Sequence, residues 1–289
     1  MIAKNQQPML TILTTVQPSP EEAYAANELR HYLNMMTGAS FQISSEKNGS
    51  VIAIGEAAAE LGVTHVKNDR KTNDDAFTIR RVGDSIAIVG GKRGVIYGVY
   101  ELLEQLGCRF FTPTCEKIPV IPDLPLPDID TTQEPVLEYR HHHNRDINEY
   151  QRFAVKCRLN HGSRKQGLGG GIQYALFVHS FDRLVSIDKY YDEHPEYFAL
   201  VKGIRRRELP QLCLTNKDVL EIAINTAREI LQSRPDCEII SISQNDFDDS
   251  FCTCPDCAAI DGYEGSHAGS LIAFVNKLAE RLEPEKGHQ

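Results

Sequence analysis

Apolar and β-branched positions fall first into a run at 9–15, read as MLTILTT, which has the length of a strand rather than a helix. Pro18-Ser19-Pro20-Glu21-Glu22 then reads as a helix start, with Ser19 at the N-cap and Pro20 at the first helical position. Ala23, Ala26, Leu29 and Leu33 follow at spacings of three and four, and Thr37-Gly38 ends the helix at a glycine cap. Strands are expected at 41–45 and 51–54, and a short helix at 56–61 before Gly62. The stretch AFTIRRV, then Gly83-Asp84, then SIAIV predicts a hairpin over 76–89. A second helix is expected over 95–106, closed by Gly107, and a strand over 108–111. Gly90-Gly91-x-x-Gly94 lies between strand and helix but has neither the Walker nor the dinucleotide spacing. Close packing of the helix on the hairpin is therefore the expectation, not a phosphate loop.

Prolines 113, 119, 122, 125, 127 and 135 make the next stretch an extended linker. Beyond it the alternation resumes. Strands are expected at 136–139, 174–178, 212–214 and 237–243, and helices at 148–159, 188–193, 217–233 and 270–282. A hairpin is expected around Gly203. Strands alternating with helices imply a parallel sheet. The chain thus divides into an α/β domain at 1–112, a linker at 113–135 and a second domain at 136–289.

Composition narrows the class. At 289 residues and 41% hydrophobic, the chain can bury full cores. The formal net charge of −9 argues against binding nucleic acid, and Arg205-Arg206-Arg207 reads as a solvated hairpin face. No window approaches a membrane span. The N-terminal MIAKNQQPML lacks a signal-peptide core, so the chain as given reads as cytoplasmic, or as secreted if a leader has been removed. Trp is absent, which is unfavourable for sugar stacking, but 11 Tyr and 11 Phe offer other faces.

Candidate chemistry sits at the strand ends. Four strands of the second domain run into polar groups: Arg140 with His141–His143, then His179, Thr215-Asn216 and Asn245-Asp246. In a βα barrel such ends share one mouth. There Asp246 would serve as acid, base or orienting carboxylate, while Arg140, His179, Asn245 and Asn216 would bind substrate. Each has an alternative as a loop or helix cap. Glu196, after His194-Pro195, is a further candidate carboxylate. Only two of three consecutive histidines can share a strand face, so the triple His reads as polar packing rather than a metal site.

Of eight cysteines, five are isolated and read as small buried hydrophobes. Cys252-x-Cys254-x-x-Cys257 alone has ligand-like spacing. It fits zinc with a fourth ligand such as Cys213 or a His, reduced structural thiols, or a disulfide in an exported protein. Any metal here would brace the loop rather than do chemistry, and no cofactor is otherwise required.

DDAFTIRRVGDSIAIVGGKRGVIYGVYELLEQLGCRFFTP resembles the N-terminal domain that precedes the barrel in α-glucuronidases and β-hexosaminidases. HSFDRLV, YYDEHPEYFALVKGIRR, QLCLTN, SISQNDFDDSFCTCPDC and EGSHAGSLIAFVNKLAERL resemble a bacterial barrel family of unknown function that follows such domains. The resemblance implies a hexosaminidase/glucuronidase-type N-terminal domain and a partial TIM-type (β/α) barrel. It further implies glycoside hydrolysis of an oligosaccharide, uronic-acid-bearing or N-acetylated. Arg140 matches the sugar-gripping Arg of the first strand and Asp246 the acid of the fourth. Where the related barrels carry an acidic pair, this chain has Asn245-Asp246, so a second carboxylate must come from elsewhere. Glu196, Asp248 and Asp249 are the candidates. A full barrel takes about 250 residues, more than the second domain holds. About half a barrel is expected, and its open parallel edges predict a homo-oligomer. The rival readings are a non-catalytic glycan-binding protein and a zinc-stabilised interaction module.

Overall fold

The computed structural model describes residues 1–162, 167–208, 210–237, 239–247 and 250–286. The protein is a mixed α/β chain of two units, Met1–Ile172 and Gln173–Gln289.

The first unit is built on a six-stranded sheet. Its strands are β1 (Thr11–Leu13), β2 (Ile43–Ser44), β3 (Val51–Ile54), β4 (Phe77–Val82), β5 (Ser85–Gly90) and β6 (Asp130–Gln133), in the order β6-β4-β5-β3-β1-β2. The β2, β1, β3 and β5 pairings are parallel, and β5-β4-β6 are antiparallel. Alternate residues feed opposite faces, as the period of a strand requires. Ile12, Ile52, Ile86 and Ile88 pack under helices α1 (Pro20–Thr37) and α2 (Gly94–Gln105). Leu13, Val51, Ala53, Ala87 and Val89 face Ala57 and Ala58 on the other side.

The expected N-terminal boundaries hold closely. Ser19 accepts from the Glu22 amide while Glu22 accepts from the Ser19 amide, forming a capping box, and Gly38 closes α1 at φ 71°. The Gly90–Gly94 turn is a packing device. A Cβ on Gly94 would stand 1.8 Å from the Ala76 carbonyl, and one on Gly91 2.2 Å from that of Asn73. That contact seats Arg93 against the buried Asp75 carboxylate.

The proline-rich stretch is more than a linker. Asp130–Gln133 escapes its prolines, carries two β-branched threonines and adds an edge strand to β4. Leu124 and Ile129 are buried in the main core. The stretch expected as a strand at 136–139 is irregular, with Val136 and Leu137 exposed. The helix expected at 148–159 is two short pieces, α3 (Arg145–Glu149) and α4 (Gln151–Lys156). Both belong to the first unit, and Val155 joins its core.

The second unit holds β7 (Tyr174–Leu176), the hairpin β8 (Leu200–Val201) and β9 (Ile204–Arg205), α5 (Lys217–Ser233), β10 (Ile239–Ile240), α6 (Pro255–Glu264) and α7 (Ala268–Lys286). Its core gathers Phe181, Leu184, Phe198, Leu212, Val219, Ile224, Phe274 and Leu278. β7 pairs in parallel with β10. The strand expected between them at 212–214 makes only an antiparallel bridge from Leu212 to Phe198. A four-stranded parallel arc is therefore not formed among the described residues. The unit's hydrophobic burial comes mainly from α5 and α7 packing over this short pair.

Candidate functional site

Parallel pairing puts the C-terminal ends of β7 and β10 on the same side, and the chain locks them together there. Ser241 N–H donates to Leu176 O at 2.9 Å; Ser180 N–H donates to Ser243 O at 3.0 Å, and Ser243 N–H donates to Ser180 Oγ at 2.9 Å. His179, just past β7, adopts φ 57°. Its N–H donates to Ser243 Oγ at 3.0 Å, and its Nδ1 lies 3.2 Å from Gln244 O. A non-glycine residue held left-handed costs conformational energy, and such strain collects at functional positions. Nε2 of the same ring faces Asp246 Oδ2 at 3.8 Å, and both side chains are solvent-accessible, Asp246 at 87%.

A carbonyl oxygen only accepts hydrogen bonds, so Nδ1 carries a proton. Nε2 is thereby turned towards the Asp246 carboxylate, at a distance that a modest side-chain rotation would bring within hydrogen-bond reach.

Asn245, next to Asp246, has the opposite environment. It is buried, its N–H donates to Gln211 Oε1 at 3.0 Å, and its Nδ2 donates to Pro210 O at 2.7 Å. Its Oδ1 accepts from Asp182 N–H at 3.3 Å, and its own carbonyl accepts from Gln211 Nε2 at 2.6 Å. The amide holds the loop rather than a ligand. Asn216 caps α5, accepting from the Asp218 and Val219 amides at 2.9 and 3.2 Å. Glu196 is exposed and pairs with His194 Nδ1 at 3.0 Å; a backbone amide and that imidazole hold its carboxyl below the usual range.

Arg140 lies in the first unit. Its Nε and Nη1 donate to Arg158 O and Leu137 O, and Nη2 stands 3.4 Å from Asp75. It thus shares with Arg93 and Asn160 the buried Asp75 carboxylate and serves an internal ionic cluster. Asp248 and Asp249 lie outside the described residues.

The loop carrying Asp246 also walls a cleft of about 390 Å³. Gln244, Phe247 and Phe251 line it from the loop, opposite Gln211, Leu214 and Leu271. Phe251 stacks on His267, ring centres 3.4 Å apart. Gln211, which both lines the cleft and anchors Asn245, opens the QLCLTN motif but was not singled out as a site residue. His267 likewise stands within the EGSHAGSLIAFVNKLAERL segment without having been picked out.

At the far end of this loop four cysteines converge. Cys213, Cys252, Cys254 and Cys257 are all buried, with their sulfurs within 4.8 Å of one another. Cys254 is the N-cap of α6 and Cys257 sits in its first turn. Hydrogen bonds from the Cys252 and Cys257 thiols push the Cys213 thiol far down, while Cys252 is pushed up to about 11, chiefly by its bond to Cys213.

Residues 2–102 match the glycosyl hydrolase family 67 N-terminus, so the first part of the chain is glycoside-hydrolase-like, as its sequence implied. Residues 110–289 match a domain of unknown function, DUF4838, and the chain belongs to that family. No curated protein matches it. Among solved structures it is similar to the chitobiase of Flavobacterium johnsoniae (14% identity, 98% of this chain and 48% of that one, TM-score 0.49). It is also similar to a family GH115 4-O-methyl-α-glucuronidase (12% identity, 94% of this chain and 40% of that one, TM-score 0.48). The chain thus spans less than half the length of either. Among the described residues, no helix is long and apolar enough to cross a membrane.

Proposed function

We propose that the protein is a carbohydrate-active, glycoside-hydrolase-type protein that takes an oligosaccharide beside Asp246, along Gln244–Phe247. Asp246 is the acid/base or orienting carboxylate, and His179 is its proton partner. The favoured substrates are uronic-acid-bearing or N-acetylated oligosaccharides. The observation that carries the reading is the 3.8 Å approach of His179 Nε2 to Asp246 at the matched ends of two parallel strands. A carboxyl group beside an imidazole can give a proton to a leaving oxygen and recover it from water. The test is turnover on aryl glycosides, glucuronides and natural oligosaccharides, beside Asp246→Asn. Loss of about 100-fold or more in turnover at unchanged melting temperature is the expected outcome; a variant as active as the parent overturns the assignment.

A second reading has its own support. None of the described residues lining the 390 Å³ cleft is Asp or Glu, and glycoside hydrolysis ordinarily uses two carboxylates. Binding without hydrolysis follows if oligosaccharides titrate with measurable heat while every glycoside in the screen stays intact.

We infer further that residues 173–289 follow a partial-barrel layout, supported by the parallel β7–β10 pair and the polar groups at its C-terminal ends. Each strand of this pair has a single strand partner among the described residues. Open parallel edges favour association, so light scattering on a sizing column is expected to give a dimer. A stable monomer across micromolar concentrations would remove the oligomer from this reading.

A further inference from the structure

The geometry points to a tetrathiolate zinc site formed by Cys213, Cys252, Cys254 and Cys257. This inference stands apart from the glycosidase reading and survives its failure. A zinc ion with four sulfurs at about 2.3 Å in a tetrahedron sets the sulfurs about 3.8 Å from one another. Here Cys213 Sγ and Cys254 Sγ are 3.7 Å apart, and all four sulfurs fall within 4.8 Å. Four mutually close sulfurs are the arrangement of a metal knot, whereas disulfides would draw them into two bonded pairs.

The surroundings suit thiolates. Leu200 N–H donates to Cys252 Sγ at 3.3 Å, and Thr215 Oγ1 lies 3.2 Å from Cys257 Sγ and 3.7 Å from Cys254 Sγ. Such outer bonds orient ligands and spread their charge. Cys254 and Cys257 also occupy the positive end of α6. The thiolates leave no open position, so the ion is structural rather than catalytic. Its mechanical effect is specific. Thr253 N–H and Oγ1 both donate to Leu200 O at 2.7 Å, pinning the cysteine loop to the β8–β9 hairpin. The ion would tie that junction to Cys213, ahead of α5. The loop bearing Asp246 would then be held at one end by the β7–β10 pairing and at the other by the metal.

The experiment is metal analysis of the full chain purified without chelator, with X-ray absorption at the zinc edge. Expected are about one zinc per chain and four sulfurs at about 2.3 Å. Cobalt substitution should give thiolate charge-transfer and tetrahedral ligand-field bands. Cys213→Ser should lose zinc to a chelator that leaves the parent loaded. The absorption spectrum of the parent decides even where that variant fails to fold. Iron in place of zinc, a Cys213–Cys254 disulfide by mass spectrometry, or four titratable thiols with under about a tenth of a metal per folded chain would each overturn the site.

Discussion

Asn245 lies under Gln211 and Pro210, whereas the carboxylate of Asp246, one residue on, stands in solvent. That split gives paired predictions. Asn245→Ala strips two side-chain bonds, to Pro210 O and from Asp182 N–H, from a buried loop and is expected to cost about 2–3 kcal/mol in urea unfolding. Asp246→Asn, at an exposed carboxylate with no hydrogen bond among the described residues, should stay within about 0.5 kcal/mol of the parent. Equal losses in the two variants would reverse these roles. At this scale the sequence was informative about residue types and silent about which way each side chain turns. Asp246 and His179, chosen as strand-end groups, do meet. Arg140 was chosen on the same grounds and instead faces Asp75, some 65 positions earlier in the chain. Such a pairing depends on long-range packing that no local pattern encodes. The three-cysteine spacing was visible, but the fourth sulfur came from Cys213 across the fold.

Helices α1 and α2 are joined by more than apolar contact. Tyr24 and Tyr100 share a hydrogen bond at 3.1 Å, and Tyr100 donates to Glu28 at 2.6 Å. Farther along α1, Tyr32 donates to Glu116 at 2.8 Å. Burial, reinforced by the charge of Glu28, pushes the Tyr24 hydroxyl up to about 12, and Tyr32 and Tyr100 move the same way, again chiefly through burial. The folded state therefore keeps protons that an unfolded chain releases near pH 10. Stability is expected to be intact below pH 10 and to fall as pH rises towards 12. Urea midpoints over this range should drop less steeply in Tyr24→Phe; identical slopes would show that this hydroxyl is not linked to folding. The elements themselves were legible where local chemistry decides them. The Ser19 box and Gly38 gave α1 its ends, and Asn216 gave α5 its start. α6 was not foreseen, because Cys254-Pro255 drew attention as ligand spacing rather than as an N-cap followed by a first-turn proline. The strands at 136–139 and 212–214 were over-read, since short apolar runs do not specify a sheet partner.

For the whole molecule, the alternation of strands and helices conveyed a mixed α/β chain, and the N-terminal motifs conveyed its kinship. The path of the chain between 113 and 172 was not legible, because proline density speaks of local stiffness and not of what an extended segment lies against. That path bears on how the gene can be divided. A fragment cut after residue 112 would look complete by composition, yet it would lack β6 and leave the edge of β4 bare along Phe77–Val82. It would also leave empty the places of Leu124, Ile129 and Val155 in the main core. Unpaired edges recruit other chains, so fragment 1–112 is expected to aggregate on expression, while fragment 1–172 should give a soluble product with a cooperative melt. A monodisperse, cooperatively melting 1–112 would show that the added strand is dispensable. The last strand of the first sheet is thus made only after the proline-rich stretch that precedes it, and the nascent domain must wait for it with an open flank.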